Sequence, residues 1–126
     1  MSHRPFLFKM ANNTEVEIGE RIIRNLPFLR KLAAIRSSAK RWEFVQRATR
    51  DELLAIVEIC ANILSADFVL TKRQKRKLEP YAIYLRQLRR TKTPDGARKV
   101  IQKGRGVFLP SLLLPVLIEV ARRLTE

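Results

Sequence analysis

The chain has 126 residues, 46% hydrophobic and 30% charged, with 26 Lys and Arg against 12 Asp and Glu for a formal net charge of +14. That length and apolar content suit one domain able to bury its own core, which excludes wholesale disorder and removes the need for disulfide or metal staples. A sequence pI of 11.1 stands above the threshold of about 9 that marks nucleic-acid-binding domains.

Residues 1–13 carry no regular pattern and are expected to form a flexible N-terminus. Thr14 with Glu17 has the spacing of a capping box, in which each residue satisfies a free backbone N–H of the other, and predicts a helix from there to about Asn25. Pro27 then opens a second helix whose apolar face is Phe28, Leu29, Leu32 and Ile35. Ser37 or Ser38 caps a third, with Trp42 and Val45 inward and Lys40, Arg41 and Arg47 toward solvent. Thr49 and Glu52 form a second capping box before the strongest apolar periodicity, Leu53, Ile56, Val57, Cys60, Ile63 and Leu64, the expected central core helix.

After a connector at Asp67–Leu70, Thr71 and Gln74 repeat the capping-box pattern at the head of a strongly basic run. Pro80 predicts a break near Glu79, because proline lacks the N–H donor and clashes with the preceding turn. Beyond it Tyr81, Ile83, Tyr84, Leu85 and Leu88 are expected to pack inward. Thr93 and Pro94 start a further helix that Gly104 and Gly106 end. The apolar segment 107–121, interrupted by Pro110 and Pro115, predicts short helical pieces of core and is too short for the ~20 residues a membrane-spanning helix needs. No run alternates apolar and polar residues for long enough to read as a strand, so the expected fold is all-α: residues 14–126 as a compact single-domain bundle of five to seven short helices.

Thirteen of the basic residues fall within 72–105, opposed only by Glu79 and Asp95, so that window holds +11 while residues 1–71 hold +3 and residues 106–126 hold zero. Like charge concentrated in this way repels itself, which points to an anionic partner. Nucleic acid comes first, duplex DNA ahead of RNA, then an anionic membrane surface, then an acidic protein. Lys72, Arg73, Lys75, Arg76, Lys77, Arg86, Arg89, Arg90, Arg98, Lys99, Lys103 and Arg105 are the candidate phosphate contacts. An all-round basic helix touches phosphates well but aims no side chain at base edges, so binding is expected to be largely independent of sequence. Tyr81, Tyr84 and Trp42 are candidate stacking platforms, with core packing the leading reading for both tyrosines.

Catalytic chemistry is sparse. The one histidine, His3, lies at the N-terminus, and the one cysteine, Cys60, sits on an apolar helical face. No metal-ligand cluster, phosphate-binding Gly-rich loop or nucleophile–base pair is present, so a non-enzymatic protein with no cofactor and no metal is expected. A lone cysteine and the absence of a signal-peptide pattern suit an intracellular setting. The alternative function is a protein-interaction or membrane-surface adaptor, in which the apolar segment 107–121 is the working surface and self-association runs through it.

Three segments in order, Asn25-Leu26-Pro27-Phe28-Leu29-Arg30-Lys31-Leu32, Leu70-Thr71-Lys72-Arg73-Gln74-Lys75-Arg76-Lys77-Leu78 and Gln102-Lys103-Gly104-Arg105-Gly106-Val107-Phe108-Leu109-Pro110, give a layout that resembles small basic proteins of Maverick/Polinton-type transposons and adintovirus-like viruses. A basic stretch followed by an apolar C-terminus is also similar in layout to the adenoviral mu/X core protein. The resemblance implies a DNA-condensing virion core protein or nucleoprotein, located in the nucleus or the virion. Gln102 stands two positions before Gly104, where the adenovirus-type protease prefers an aliphatic residue, so the resemblance does not extend to maturation cleavage.

Overall fold

A computed structural model describes residues 6–9, 15–64 and 70–124. Among them the chain is an all-α bundle of eight helical segments, preceded by a small hairpin. The helices are α1 (Glu20–Arg24), α2 (Leu26–Ala34), α3 (Ser38–Gln46), α4 (Arg50–Leu64), α5 (Lys72–Leu78), α6 (Ala82–Arg90), α7 (Pro94–Lys103) and α8 (Leu109–Leu124). The hairpin pairs β1 (Phe6–Lys9) antiparallel with β2 (Glu15–Ile18), in a register that sets Phe6 opposite Ile18 and Phe8 opposite Val16.

This hairpin corrects the reading of the N-terminus. The helix expected from Thr14 starts only at Glu20, with Gly19 as its N-cap, and the four residues before Gly19 are strand. Each strand has four residues, too few for period-2 alternation to register, and the pairing partner supplies what the local pattern lacks. His3, the Thr14 end of the expected capping box and most of the connector before Leu70 lie outside the described residues.

Local chemistry sets the remaining helix starts. Thr49 Oγ1 accepts from the Glu52 amide at 3.1 Å while the Thr49 amide donates to Glu52 Oε1 at 2.8 Å. Thr71 and Gln74 make the same reciprocal pair at 3.1 and 2.8 Å. Ser37 caps α3 through the Lys40 amide, and Thr93 caps α7 through the Gly96 amide with Pro94 as the first helical residue. Pro80 breaks the basic run as expected: α5 ends at Leu78, a single 3-10 turn covers Glu79–Tyr81, and α6 begins at Ala82.

The core is continuous through every helix. Helix α4 contributes Leu53, Ala55, Ile56, Ile59, Cys60 and Ile63, a face rotated from the expected one: Val57 and Leu64 are half-buried, and Ala55 and Ile59 take their place. It packs against α1, α6, α7 and α8, which makes it the central element. α2 buries Leu26, Phe28, Leu29 and Leu32, and its chief neighbour is α8. α8 runs unbroken through Pro115, against the expectation of short pieces, and buries Leu109, Leu112, Leu113, Val116, Leu117 and Val120. With Pro115 itself buried, apolar packing on both sides outweighs the ~3 kcal/mol that an interior proline costs a helix. No helix among the described residues is long and apolar enough to cross a membrane.

Arg41 departs most sharply from the sequence reading. Expected in solvent, it is 8% exposed. Its guanidinium donates to the carbonyls of Ile35 (2.8 Å), Arg36 (2.9 Å) and Gly106 (3.2 Å). One side chain thus satisfies the end of α2 and ties it to the turn between α7 and α8.

Candidate nucleic-acid interface

The basic residues lie on three consecutive helices and the turn that follows them. On α5, Lys72, Arg73, Lys75, Arg76 and Lys77 are all exposed, and only Leu78 is buried. So short a helix, basic nearly all round, is held by its capping box at one end and by α8 and the 3-10 turn at the other.

α6 is strongly two-sided. Leu85 and Leu88 are buried, with Tyr81 just ahead of the helix and Tyr84 half-buried beside them. The opposite stripe holds Ile83, Arg86 and Arg90, and Arg89 lies beside it. Ile83 does not pack inward as expected but is 66% exposed, because it falls on the Arg86 side of the helix. The tyrosines belong to the core: Tyr84 stacks on Phe108 with ring centroids 6.0 Å apart and Tyr81 meets the same ring at 6.2 Å. They are packing residues first and have little face left for bases.

α7 buries Pro94, Ala97, Val100 and Ile101 and turns Asp95, Lys99, Gln102 and Lys103 outward. A Schellman motif closes it. The Gly106 amide donates to Ile101 O at 3.0 Å and the Arg105 amide to Gln102 O at 3.0 Å. That geometry needs a left-handed residue just past the helix, and Arg105 occupies the position with φ 56°, followed by Gly106 with φ 67°. Glycine is the usual occupant; an arginine there is held against its own steric preference and leaves its side chain exposed.

Every candidate phosphate contact except Arg98 is exposed. Arg98 is half-buried and committed: Nη1 donates to Asp95 Oδ1 at 3.0 Å and Nη2 to Ala48 O at 2.8 Å, while its buried Nε–H meets no acceptor among the described residues. It is a structural arginine rather than a free phosphate contact. Asp51 and Glu52 are engaged elsewhere. Asp51 accepts from Arg21 (3.0 Å), Arg24 (2.8 and 2.9 Å) and Asn25 (2.8 Å), and these donors hold its carboxyl well below the usual carboxylate range. Among the described residues no acidic partner neutralises the basic side chains of α5 or α6.

No family model, curated protein or solved structure matches this chain. Its chemistry therefore rests on its own geometry. Cys60 is no nucleophile: it is buried, its Sγ–H points to Leu85 O at 3.0 Å, and burial pushes the thiol up to about 12. No group of three or more His, Cys, Asp or Glu able to hold a metal occurs among the described residues.

Sequence reasoning did not find one further feature. An open groove of about 580 Å³ runs between α3 and α7, lined by Trp42, Gln46, Asp95, Arg98, Lys99 and Gln102. Its two walls are 49 or more positions apart in sequence, so no local pattern announces it.

Proposed function

We propose that this protein binds nucleic acid, double-stranded DNA above all, through the exposed cations of α5, α6 and α7, without catalysis and largely without regard to sequence. The observation that carries this reading is the run of exposed Lys and Arg from Lys72 to Arg105, unpaired among the described residues apart from Arg98, on short helices whose other faces are anchored in the core. Anchored helices present charge as a fixed array, which suits a regularly spaced phosphate backbone. Nothing on α5 or α6 resembles a base-reading face. Each molecule binds weakly, with a non-specific Kd of about 10⁻⁴–10⁻⁶ M at physiological salt, so the function requires many copies on one polymer. A condensing protein of a virus-like particle or nucleoprotein fits that behaviour, in the nucleus or the virion.

The adaptor reading loses ground because its working surface is consumed by the core. Of the segment after Gly106, Phe108, Leu109, Leu112, Leu113, Val116, Leu117 and Val120 are buried, and Val107, Leu114 and Ile118 remain as exposed large apolar side chains.

The test is binding of two unrelated duplex sequences over a salt series. Log affinity should fall against log salt by about 0.9 for each phosphate neutralised, equally for both sequences. Salt-insensitive binding, or binding of one sequence alone, would overturn the proposal.

A further inference from the structure

The groove between α3 and α7 offers what the basic surface lacks. Trp42 and Gln46 stand one turn apart on α3, and Asp95, Arg98, Lys99 and Gln102 follow at one-turn spacing on α7, so the two stripes face each other across the opening. Its volume of about 580 Å³ falls within the ~300–1,000 Å³ of small-molecule sites. Trp42, the one tryptophan in the chain, packs against the core yet stays half-exposed, so its indole is braced without being covered. Gln46, Gln102 and Lys99 are exposed, and no described side chain engages them. Asp95 spends Oδ1 on Arg98 and keeps Oδ2.

Each group has a use toward one class of ligand. An indole face stacks on any planar base, amides pair with base edges, and an ammonium meets a phosphate. The carboxylate of Asp95 repels phosphate but accepts from an exocyclic amine, which argues for a base rather than a bare polyanion. Arg98 is fixed by Ala48 O and Asp95, so one wall is rigid before any ligand arrives.

We propose that this groove takes a single unpaired nucleobase, stacked on Trp42, with its edge toward Gln46, Gln102 and Asp95 and its phosphate at Lys99. The inference rests on the nucleic-acid reading and extends it. Phosphate contacts on α5–α7 serve duplex and single strand alike, whereas the groove rewards only a base free of its partner, and among bases those carrying an amine.

Trp42 fluorescence reads the groove directly, and anisotropy of a labelled oligonucleotide reads total binding. Oligo(dC) should quench Trp42 and bind more tightly than oligo(dT), while a matched duplex and inorganic polyphosphate bind without quenching. Trp42→Leu, which keeps an apolar side chain against the core, should weaken oligo(dC) binding about tenfold, in line with the loss of one stacked base, and leave duplex binding within about twofold. The Gln46→Ala/Gln102→Ala pair, both at exposed positions, should narrow the gap between oligo(dC) and oligo(dT). Equal binding of duplex and both single strands with unchanged fluorescence would overturn the groove and leave the basic surface standing. Quenching by cytidine monophosphate, with no binding of any polynucleotide, would uphold the groove and overturn the surface.

Discussion

Arg41 carries the clearest prediction at the residue scale. Arg41 is 8% exposed, and replacing it with Ala leaves the buried carbonyl of Gly106 and the part-buried bonds to Ile35 and Arg36 without their donor. Unpaired buried acceptors cost about 1–3 kcal/mol, so thermal unfolding of Arg41→Ala should drop by several degrees. Arg41→Lys should recover little, because one ammonium cannot match a planar fork that reaches three carbonyls. A variant with unchanged melting would show that the tie is idle. Helical periodicity places Arg41 outside because it registers side-chain hydropathy alone, neither the backbone carbonyls of Ile35 and Arg36 nor Gly106, 65 positions away. Asp51 makes a second case. Its carboxyl is held low by Arg24, Asn25 and Arg21, so it contributes stability above the ordinary carboxylate pKa and loses it as pH falls through that value toward its own lower one. Glu58, raised by burial, acts in the opposite sense. Between about pH 5 and pH 2, Asp51→Asn should therefore lose less stability than the parent, as measured by urea midpoints. An identical acid profile would remove Asp51 from the account.

Element by element, the caps are legible where their chemistry is contained in four consecutive residues, the Thr14/Glu17 pattern excepted, since Glu17 lies in β2. Thr49 with Glu52, Thr71 with Gln74, and Thr93 with Pro94 start the helices they were expected to start. Two elements were not legible. The hairpin depends on a strand partner about ten positions away, and α8 crosses Pro115 because burial outweighs local preference. The end of α7 holds a trade between stability and function. Arg105 sits left-handed where glycine costs nothing, so Arg105→Gly should stabilise the fold by about 1 kcal/mol. The same change removes an exposed cation and should make the salt dependence of DNA binding shallower, by at most about 0.9 in log–log slope. A melting temperature that fails to rise would show that the Schellman turn carries no strain at Arg105.

Across the whole molecule, the basic window read from sequence became a set of anchored helical faces, and this much follows from composition and capping alone. The division of labour within it does not. Arg98, in sequence one more candidate phosphate contact, is a brace between α7 and the end of α3. The groove around Trp42 is not legible in sequence, because Gln102 and Lys99 join its lining only through the packing of α3 on α7.

The pairing of α2 with α8 also sets an order of events during synthesis. The apolar face of α2 emerges early, yet its chief neighbour is the last described helix. Until α8 has emerged from the ribosome that face has only the partial cover of α1, α3 and α4, while the cations of α5–α7 are already outside. The unfinished chain is therefore sticky and polycationic together, on the surface of a particle made largely of RNA. Docking of α8 then covers that face.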